Sequence, residues 1–191
     1  MWWSDSKIKQ QVKDGGLVIA PFDVRNINPC GIDVTLGSEF ITYKVLLDSA
    51  KKYDEYDIVR HSLNKHQYIT LTRGLIYLGV TNEYVEIPDN AFAELTGKSS
   101  LGRLGLSIHA TAGHIDPGFK GHITLELSVI QPLTIYPGMK IGQLRFANVD
   151  GIVDKPYHEK ENSKYNNRLK EPIYSKYADD RSNIYGNDWR D

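Results

Sequence analysis

The stretch Ile123-Thr124-Leu125-Glu126-Leu127-Ser128-Val129 alternates apolar and polar residues at every position. A period of two is typical of a β-strand, and it puts the aliphatic side chains on one face and Thr124 and Glu126 on the other. If the second face meets solvent, Glu126 is an ordinary surface carboxylate. If it lines a cavity, Glu126 is a desolvated carboxylate with a raised pKa, suited to general acid-base chemistry near neutral pH. The pattern leaves both readings open.

Short runs of β-branched and aromatic residues, separated by turn residues, recur on both sides of this stretch. Many short strands at such spacing predict an all-β fold, which can be a sandwich, jelly-roll-like or a distorted β-barrel. The charged and weakly periodic stretch Asp48–Lys65 is predicted to be an excursion on its surface. The predicted strands, besides 123–129, are Gly31–Leu36, Phe40–Tyr43, Tyr68–Leu71, Leu75–Val80, Tyr84–Ile87, Leu133–Ile135 and Ile141–Phe146.

One short helix is predicted before the strands. Ser4 or Asp5 can cap its N-terminus, and the apolar residues Ile8 and Val12 lie one turn apart. The pair Gly15-Gly16 then ends the helix.

Length and composition limit the classes of protein that the chain can belong to. Its 191 residues fit one domain of the usual roughly 100 to 200 residues. The 23 basic and 24 acidic residues give a net charge of -1, so no global basic field favours nucleic acid or an anionic membrane. No apolar run approaches the roughly 18 residues of a membrane span, and the N-terminus does not resemble a secretory signal. With Cys30 as the single cysteine, we expect a cytoplasmic protein without disulfides.

The composition changes after Val153, where aliphatic residues become rare while tyrosines remain among charged residues and asparagines. Such a segment cannot build a core of its own and must lie on another surface. We therefore expect residues 1–155 to form the ligand-binding domain and residues 156–191 to be a lid and tail of that domain. Within the second part, Tyr157–Arg168 is predicted to be the lid, and Ile173–Asp191 a solvated tail with some packed tyrosines.

The segment Gly97-Lys98-Ser99-Ser100-Leu101-Gly102-Arg103 is the densest concentration of anion-binding residue types. Lys and Arg supply charge-assisted hydrogen bonds, Ser supplies neutral donors, and Gly lets the backbone approach a ligand closely. The spacing is not that of a P-loop. A phosphate-binding segment and a polar surface turn both remain open on this stretch alone.

Several blocks of the sequence resemble the signature blocks of the dCTP deaminase family, within the trimeric dUTPase superfamily. The resemblance runs in order from Ser4 to about Arg168. The blocks are Asn28–Gly37, Gly97–Leu106, His109–Phe119, Gly121–Leu127 and Pro137–Leu144.

The resemblance implies a homotrimer with nucleotide sites between subunits, and it assigns roles to individual residues. Glu126 becomes the proton acceptor and donor, Ser99 and the Ala112 carbonyl hold the attacking water, and Arg103 supports the site electrostatically. The implied ligands are dCTP and dUTP with Mg²⁺ on the phosphates, with dTTP as an inhibitor to test. The residues assigned to substrate binding are Lys98, Ser99, Ser100, Leu101, Gly102, Arg103, Asp116, Thr124, Leu125, Glu126, Gln143, Tyr157, Lys164 and Arg168.

The chemistry agrees with the role implied for Glu126. Most cytosine deaminases activate water on zinc that is held by cysteines and histidine, with a Pro-Cys-x-x-Cys mark, and this chain has no such motif. We therefore expect a zinc-free enzyme in which a carboxylate activates the water.

Two positions bear on which family member the chain resembles. Arg168 stands where the lid motif of the family usually has Gln, so a Gln-specific hydrogen bond is lost while phosphate contact can remain. Thr111-Ala112-Gly113 resembles the bifunctional type, which also hydrolyses dUTP to dUMP and pyrophosphate, and we assign Gly113 and His114 to that second activity. Gly113 is expected to allow backbone angles that other residues avoid.

The alternatives to a bifunctional enzyme are a deaminase alone, a dUTPase alone and a non-catalytic nucleotide sensor.

Overall fold

The N-terminal helix α1 spans Asp5–Lys13, as the sequence predicts. The structure is a computed structural model that describes residues 1–44, 55–111, 113–161, 163–166 and 168–176. Ser4 caps α1 because its side chain accepts the backbone N–H of Lys7 at 3.3 Å. Gly15, with φ 74°, follows the helix in the left-handed region that glycine adopts readily. Ile8 is fully buried and anchors α1 to the core.

The other regular elements of the described chain are mostly β-strands. A second helix, α2 (Ser99–Gly102), and 3₁₀ turns at Val24–Asn26, Glu55–Asp57 and Tyr157–Glu159 interrupt the strands. The strands are β1 (Val18–Ala20), β2 (Ile27–Asn28), β3 (Gly31–Thr35), β4 (Glu39–Tyr43), β5 (Ile58–Ser62), β6 (Ile69–Leu71), β7 (Tyr77–Glu86), β8 (Ala91–Gly97), β9 (Leu106–Ser107), β10 (His114–Ile115), β11 (Lys120–Val129), β12 (Leu133–Ile135) and β13 (Lys140–Asn148).

The strands form three antiparallel sheets. The six-stranded sheet has the order β5-β4-β7-β11-β9, with β1 also paired to β7; the five-stranded sheet has the order β10-β8-β13-β3-β2; and β12 pairs with β6. The all-β prediction is confirmed. Within the described ranges the edges of these sheets are not joined by a continuous ladder, so the distorted barrel is not closed. None of the described helices is long and apolar enough to cross a bilayer.

The predicted alternation of β11 is confirmed. Its residues alternate between buried and half-buried along the whole strand, and Leu125 and Leu127 are fully buried in the main core. Thr124 and Glu126 lie on the opposite face of the strand. β11 lies between β7 and the two-residue edge strand β9 in the larger sheet.

Two strand predictions differ from the structure. The runs predicted as separate strands at 75–80 and 84–87 belong largely to one strand, β7. The polar side chains in the middle of β7 find hydrogen-bond partners within the protein. The Thr81 hydroxyl donates to the Glu83 carbonyl, and the Glu83 carboxylate accepts the Thr35 hydroxyl at 2.7 Å. The predicted excursion at 48–65 contains β5, which pairs along β4. Residues 48–54 lie outside the described residues.

Candidate active site

A cavity of about 630 Å³ lies against the polar face of β11. Thr124 and Glu126 both line it and are half-buried, so this face of β11 borders a cavity. Leu125 points into the core, so only its backbone faces this side. The complete lining is Tyr43, Ile76, Leu78, Thr111, His114, Ile115, Asp116, Phe119, His122, Ile123, Thr124, Glu126, Tyr157, Lys164, Tyr165, Ile173 and Ser175.

The Glu126 carboxylate is held by the loop that follows β9. Its Oε2 accepts the backbone N–H of Ala110 at 2.7 Å and that of Thr111 at 3.2 Å. The backbone N–H of Glu126 donates in turn to the Ile108 carbonyl at 2.9 Å. These bonds fix both the loop and the orientation of the carboxylate, which is the preorganisation that a general base needs.

Gly113 has a steric reason to lack a side chain. Its backbone is not in the left-handed region, so the expectation of unusual backbone angles is wrong. A Cβ atom there would come within 3.1 Å of the Leu95 carbonyl and 3.3 Å of the His109 ring, closer than ordinary contact. The Gly113 carbonyl also accepts the Leu95 N–H at 2.7 Å, which ties the loop to β8. Ala112, predicted to hold the attacking water, lies outside the described residues.

Asp116 and His114 border the same cavity. The His114 Nε2 lies 3.4 Å from Asp116 Oδ1, and the His114 ring stacks on Phe92 with centroids 5.1 Å apart. The aromatic contact and the carboxylate together hold the imidazole at the cavity rim. A carboxylate at this position can accept a hydrogen bond from a hydroxyl of a ligand.

The first part of the predicted lid packs beside Asp116. The backbone N–H of Tyr157 donates to the Pro117 carbonyl at 2.8 Å, and the Tyr157 ring lies 5.9 Å from that of Phe119. Burial raises the pKa of Tyr157, so its hydroxyl stays protonated at neutral pH. Lys164 lines the cavity, whereas Arg168 is exposed and is not among the lining residues.

The segment 172–176 also reaches the cavity, which the sequence analysis missed. Ile173, expected in a solvated tail, donates its backbone N–H to Thr124 Oγ1 at 3.0 Å. The backbone N–H of Ser175 donates to the Tyr43 hydroxyl at 3.4 Å, and Tyr174 packs on a second apolar cluster that includes Ile41. The apolar triplet 172–174, in an otherwise polar tail, was the signal that could have revealed this contact. Residues 177–191 lie outside the described part of the chain.

The segment 97–103, the candidate for anion binding, does not line the cavity. Ser99, Ser100 and Arg103 are exposed around α2, and Arg103 Nη1 donates to the Ser99 carbonyl at 3.0 Å. None of residues 98–103, nor Gln143, is among the described residues that line the cavity. One chain therefore presents two separate sets of predicted ligand-binding residues.

Asp33 on β3 lies beside Lys98 and Gln143, two residues of the second set. Its carboxylate, 5% exposed, accepts hydrogen bonds from Lys98 at 2.7 Å, Gln143 at 2.9 Å, Lys140 at 2.9 Å and Asn28 at 2.8 Å. Burial raises the pKa of this carboxyl group, but the four donors together outweigh burial and lower the pKa to about 2. Asp33 is therefore charged at neutral pH.

No three His, Cys, Asp or Glu side chains of the described residues come together in a cluster that could hold a metal ion.

Comparisons with known proteins agree with the family resemblance of the sequence blocks. Residues 2–149 match the sequence model of the family described as dCTP deaminase-like. The dUMP-forming dCTP deaminase of Dictyoglomus thermophilum is 40% identical over 173 residues, 86% of this chain and 89% of that protein. The dUMP-forming dCTP deaminase of Mycobacterium tuberculosis H37Rv is 42% identical over 163 residues, 82% of this chain and 85% of that protein.

A solved structure shows the same fold. The 2'-deoxycytidine 5'-triphosphate deaminase of Agrobacterium tumefaciens superposes with a TM-score of 0.62 at 24% identity. The match covers 78% of this chain and 48% of the Agrobacterium chain.

Proposed function

Because the chain belongs to the dCTP deaminase-like family, we propose that it converts dCTP to dUMP, ammonia and pyrophosphate. The observation that carries the proposal is the Glu126 carboxylate, which lies in a cavity and is oriented by the backbone amides of Ala110 and Thr111. The two relatives described above, both dUMP-forming, support the full conversion rather than deamination alone.

In the first step Glu126 removes a proton from a water molecule as the water oxygen bonds to C4 of the cytosine ring, and the electron pair of the C4–N3 double bond moves to N3, which takes up that proton from Glu126. Glu126 then transfers the remaining hydroxyl proton to the exocyclic amine, and the C4–N bond to that amine breaks to release ammonia and leave the C4 carbonyl of dUTP. A positioned acid-base group contributes about 10² to 10⁴-fold to such a reaction. Thr124, on the same face of β11, would hydrogen-bond the base, and Asp116 would accept the sugar 3′-hydroxyl.

The complete site would form between copies of the chain. Ser99 and Arg103 are exposed and lie apart from the cavity that contains Glu126, so a second copy would bring them to it. A homotrimer would provide three such junctions, and each substrate would have its base in one subunit and its phosphates against residues 98–103 and Gln143 of the next. Ser99 and the carbonyl of Ala112 would then hold the attacking water.

In the second step a water molecule would attack the α-phosphorus of dUTP, and the bond to the bridging oxygen would break to release pyrophosphate. Mg²⁺ on the phosphates supplies charge neutralisation that makes pyrophosphate a better leaving group. Asp116 would help position the water beside Gly113, where the absence of a side chain keeps the loop close to β8. Tyr157, Lys164 and Arg168 would close over the triphosphate.

The experiment that tests this function is a time course of the purified protein with dCTP and Mg²⁺, in which dUTP, dUMP and pyrophosphate are separated. The proposal predicts equal amounts of ammonia, dUMP and pyrophosphate. Stoichiometric dUTP without pyrophosphate would indicate a deaminase alone. Turnover of dUTP but not of dCTP would indicate a dUTPase alone, and binding of dCTP without turnover would indicate a non-catalytic sensor.

A further inference from the structure

The Asp33 carboxylate is in contact with more positive charge than is required to neutralise it. The carboxylate carries one negative charge and is 5% exposed, yet the ammonium groups of both Lys98 and Lys140 lie within 3 Å of it, at 2.7 and 2.9 Å. Either lysine alone would neutralise it. The cluster therefore has one unbalanced positive charge, and a nearby anion would stabilise it.

Strand register explains how these groups come together. β13 pairs with β3 so that Gln143 lies opposite Asp33, and β13 pairs with β8 so that Gln143 lies opposite Thr96. Lys98 follows the end of β8 and thus reaches the same carboxylate. Lys140 and Gln143 lie on β13, and Lys98 lies between β8 and α2, so the donors are held by regular structure, which limits the entropy lost when a ligand binds.

Asp23 is a second acidic group near Lys140, but it is already paired with Arg25 at 2.6 Å. That pair is neutral as a whole. Lys140 is about half exposed, at 48%, while Lys98 is 22% exposed, so Lys140 is the more accessible of the two ammonium groups.

We propose that Lys140 is a further phosphate-binding residue, and that Asp33 is the positioning residue that holds Lys140, Lys98 and Gln143 side by side for a polyphosphate. An ammonium group has three N–H donors, and the one that Lys140 directs to Asp33 leaves others for phosphate oxygens. The ligand is the triphosphate of the substrate, so the inference rests on the proposed function. It adds a residue that the resemblance does not assign.

The test measures direct binding of inorganic tripolyphosphate to the full chain by calorimetry, together with dCTP kinetics. Lys140→Gln should weaken tripolyphosphate binding about tenfold and raise KM for dCTP by a similar factor, with kcat nearly unchanged. Lys140→Arg should restore most of the affinity because it keeps the charge and the donors. Lys13→Gln, at the end of α1, is the matched control and should bind as the wild type does.

A solely structural ion pair gives a different result. In that case Lys140→Gln lowers the unfolding temperature but leaves tripolyphosphate affinity and KM unchanged, and the inference is overturned. A wild-type protein that does not bind tripolyphosphate overturns it as well. If dCTP is not turned over but Lys140→Gln still weakens tripolyphosphate binding, the proposed function fails and the polyphosphate site stands.

Discussion

Glu126 accepts the backbone N–H of Ala110 at 2.7 Å, and this hydrogen bond ties the proposed catalytic base on β11 to the loop that leads to Gly113. The loop is held at its other end by the bond between Leu95 and the Gly113 carbonyl, at 2.7 Å. Separate hydrogen bonds thus hold Ala110 against the carboxylate proposed for deamination and hold Gly113, proposed for the second activity, against β8. Substitutions at Glu126 and at Gly113 therefore test the two activities separately.

At the carboxylate end, Glu126→Gln should lower kcat for deamination by at least about 100-fold, because the amide cannot accept the proton from water. The amide oxygen can still accept the Ala110 N–H, so the unfolding temperature and tripolyphosphate binding should stay close to the wild type. Glu94→Gln, which alters a carboxylate paired with Arg145 on β8, is the control and should retain full turnover. Near wild-type turnover in Glu126→Gln would remove Glu126 from the mechanism.

At the glycine end, Gly113→Ala should lower the yield of dUMP relative to dUTP about tenfold, since a small displacement of a catalytic loop has effects of this size or larger. The added Cβ would press on the Leu95 carbonyl at 3.1 Å and move the loop. Product ratios from dCTP, with thermal unfolding measured alongside, check this. An unchanged ratio in a folded variant would separate Gly113 from the second activity.

The contact between Ile173 and Thr124 gives a third prediction. Ile173→Pro removes the backbone N–H that donates to Thr124 Oγ1 at 3.0 Å, and KM for dCTP should rise about fivefold. Ile173→Ala keeps that N–H and serves as the matched control, with a smaller change in KM. Equal KM values for the two variants would show that the hydrogen bond does not influence substrate binding.

Asp33 should give the protein a specific sensitivity to acid. Its pKa falls from 3.8 to about 2 on folding, so its ionised form stabilises the native state above pH 3.8 and this stabilisation is lost as the pH falls towards 2. The loss is about 2 kcal/mol. Between pH 5 and pH 2, the Asp33→Asn variant should therefore lose about 2 kcal/mol less unfolding free energy than the wild type. Urea unfolding at a series of pH values measures this difference.

The control for this prediction is Asp150→Asn, which changes an exposed carboxylate near the end of β13. Its unfolding free energy should follow the same pH dependence as that of the wild type. If Asp33→Asn and the wild type also lose stability in parallel, the hydrogen bonds of Asp33 do not stabilise its charged form.

The sequence predicts the parts of this fold whose local patterns are strong. Helix α1 has a capping residue and a glycine stop, and β11 alternates without interruption, so both are predicted closely. Strand β8 was missed because its buried face is built largely from Ala91 and Ala93, and alanine has little β-propensity. Strand β5 was missed because it is an edge strand with little burial beyond Ile58.

In the candidate site, too, local sequence patterns do not reveal which distant residues come into contact. Local sequence marks Glu126 as a polar residue on a strand, but only the pairing of distant strands shows that this face lines a cavity. The four donors of Asp33 come from positions between 28 and 143, so no local pattern could reveal their convergence. The contact of Ile173 with Thr124 spans 49 residues and depends on how the C-terminal segment crosses the sheet.

The most direct test of the central claim is a single-turnover reaction with radiolabelled dCTP, Mg²⁺ and excess unlabelled dUTP. If one site performs both steps, the label should pass to dUMP without accumulating in dUTP, because the intermediate does not mix with the unlabelled pool. Accumulation of the label in free dUTP would contradict the conversion of dCTP to dUMP in a single site.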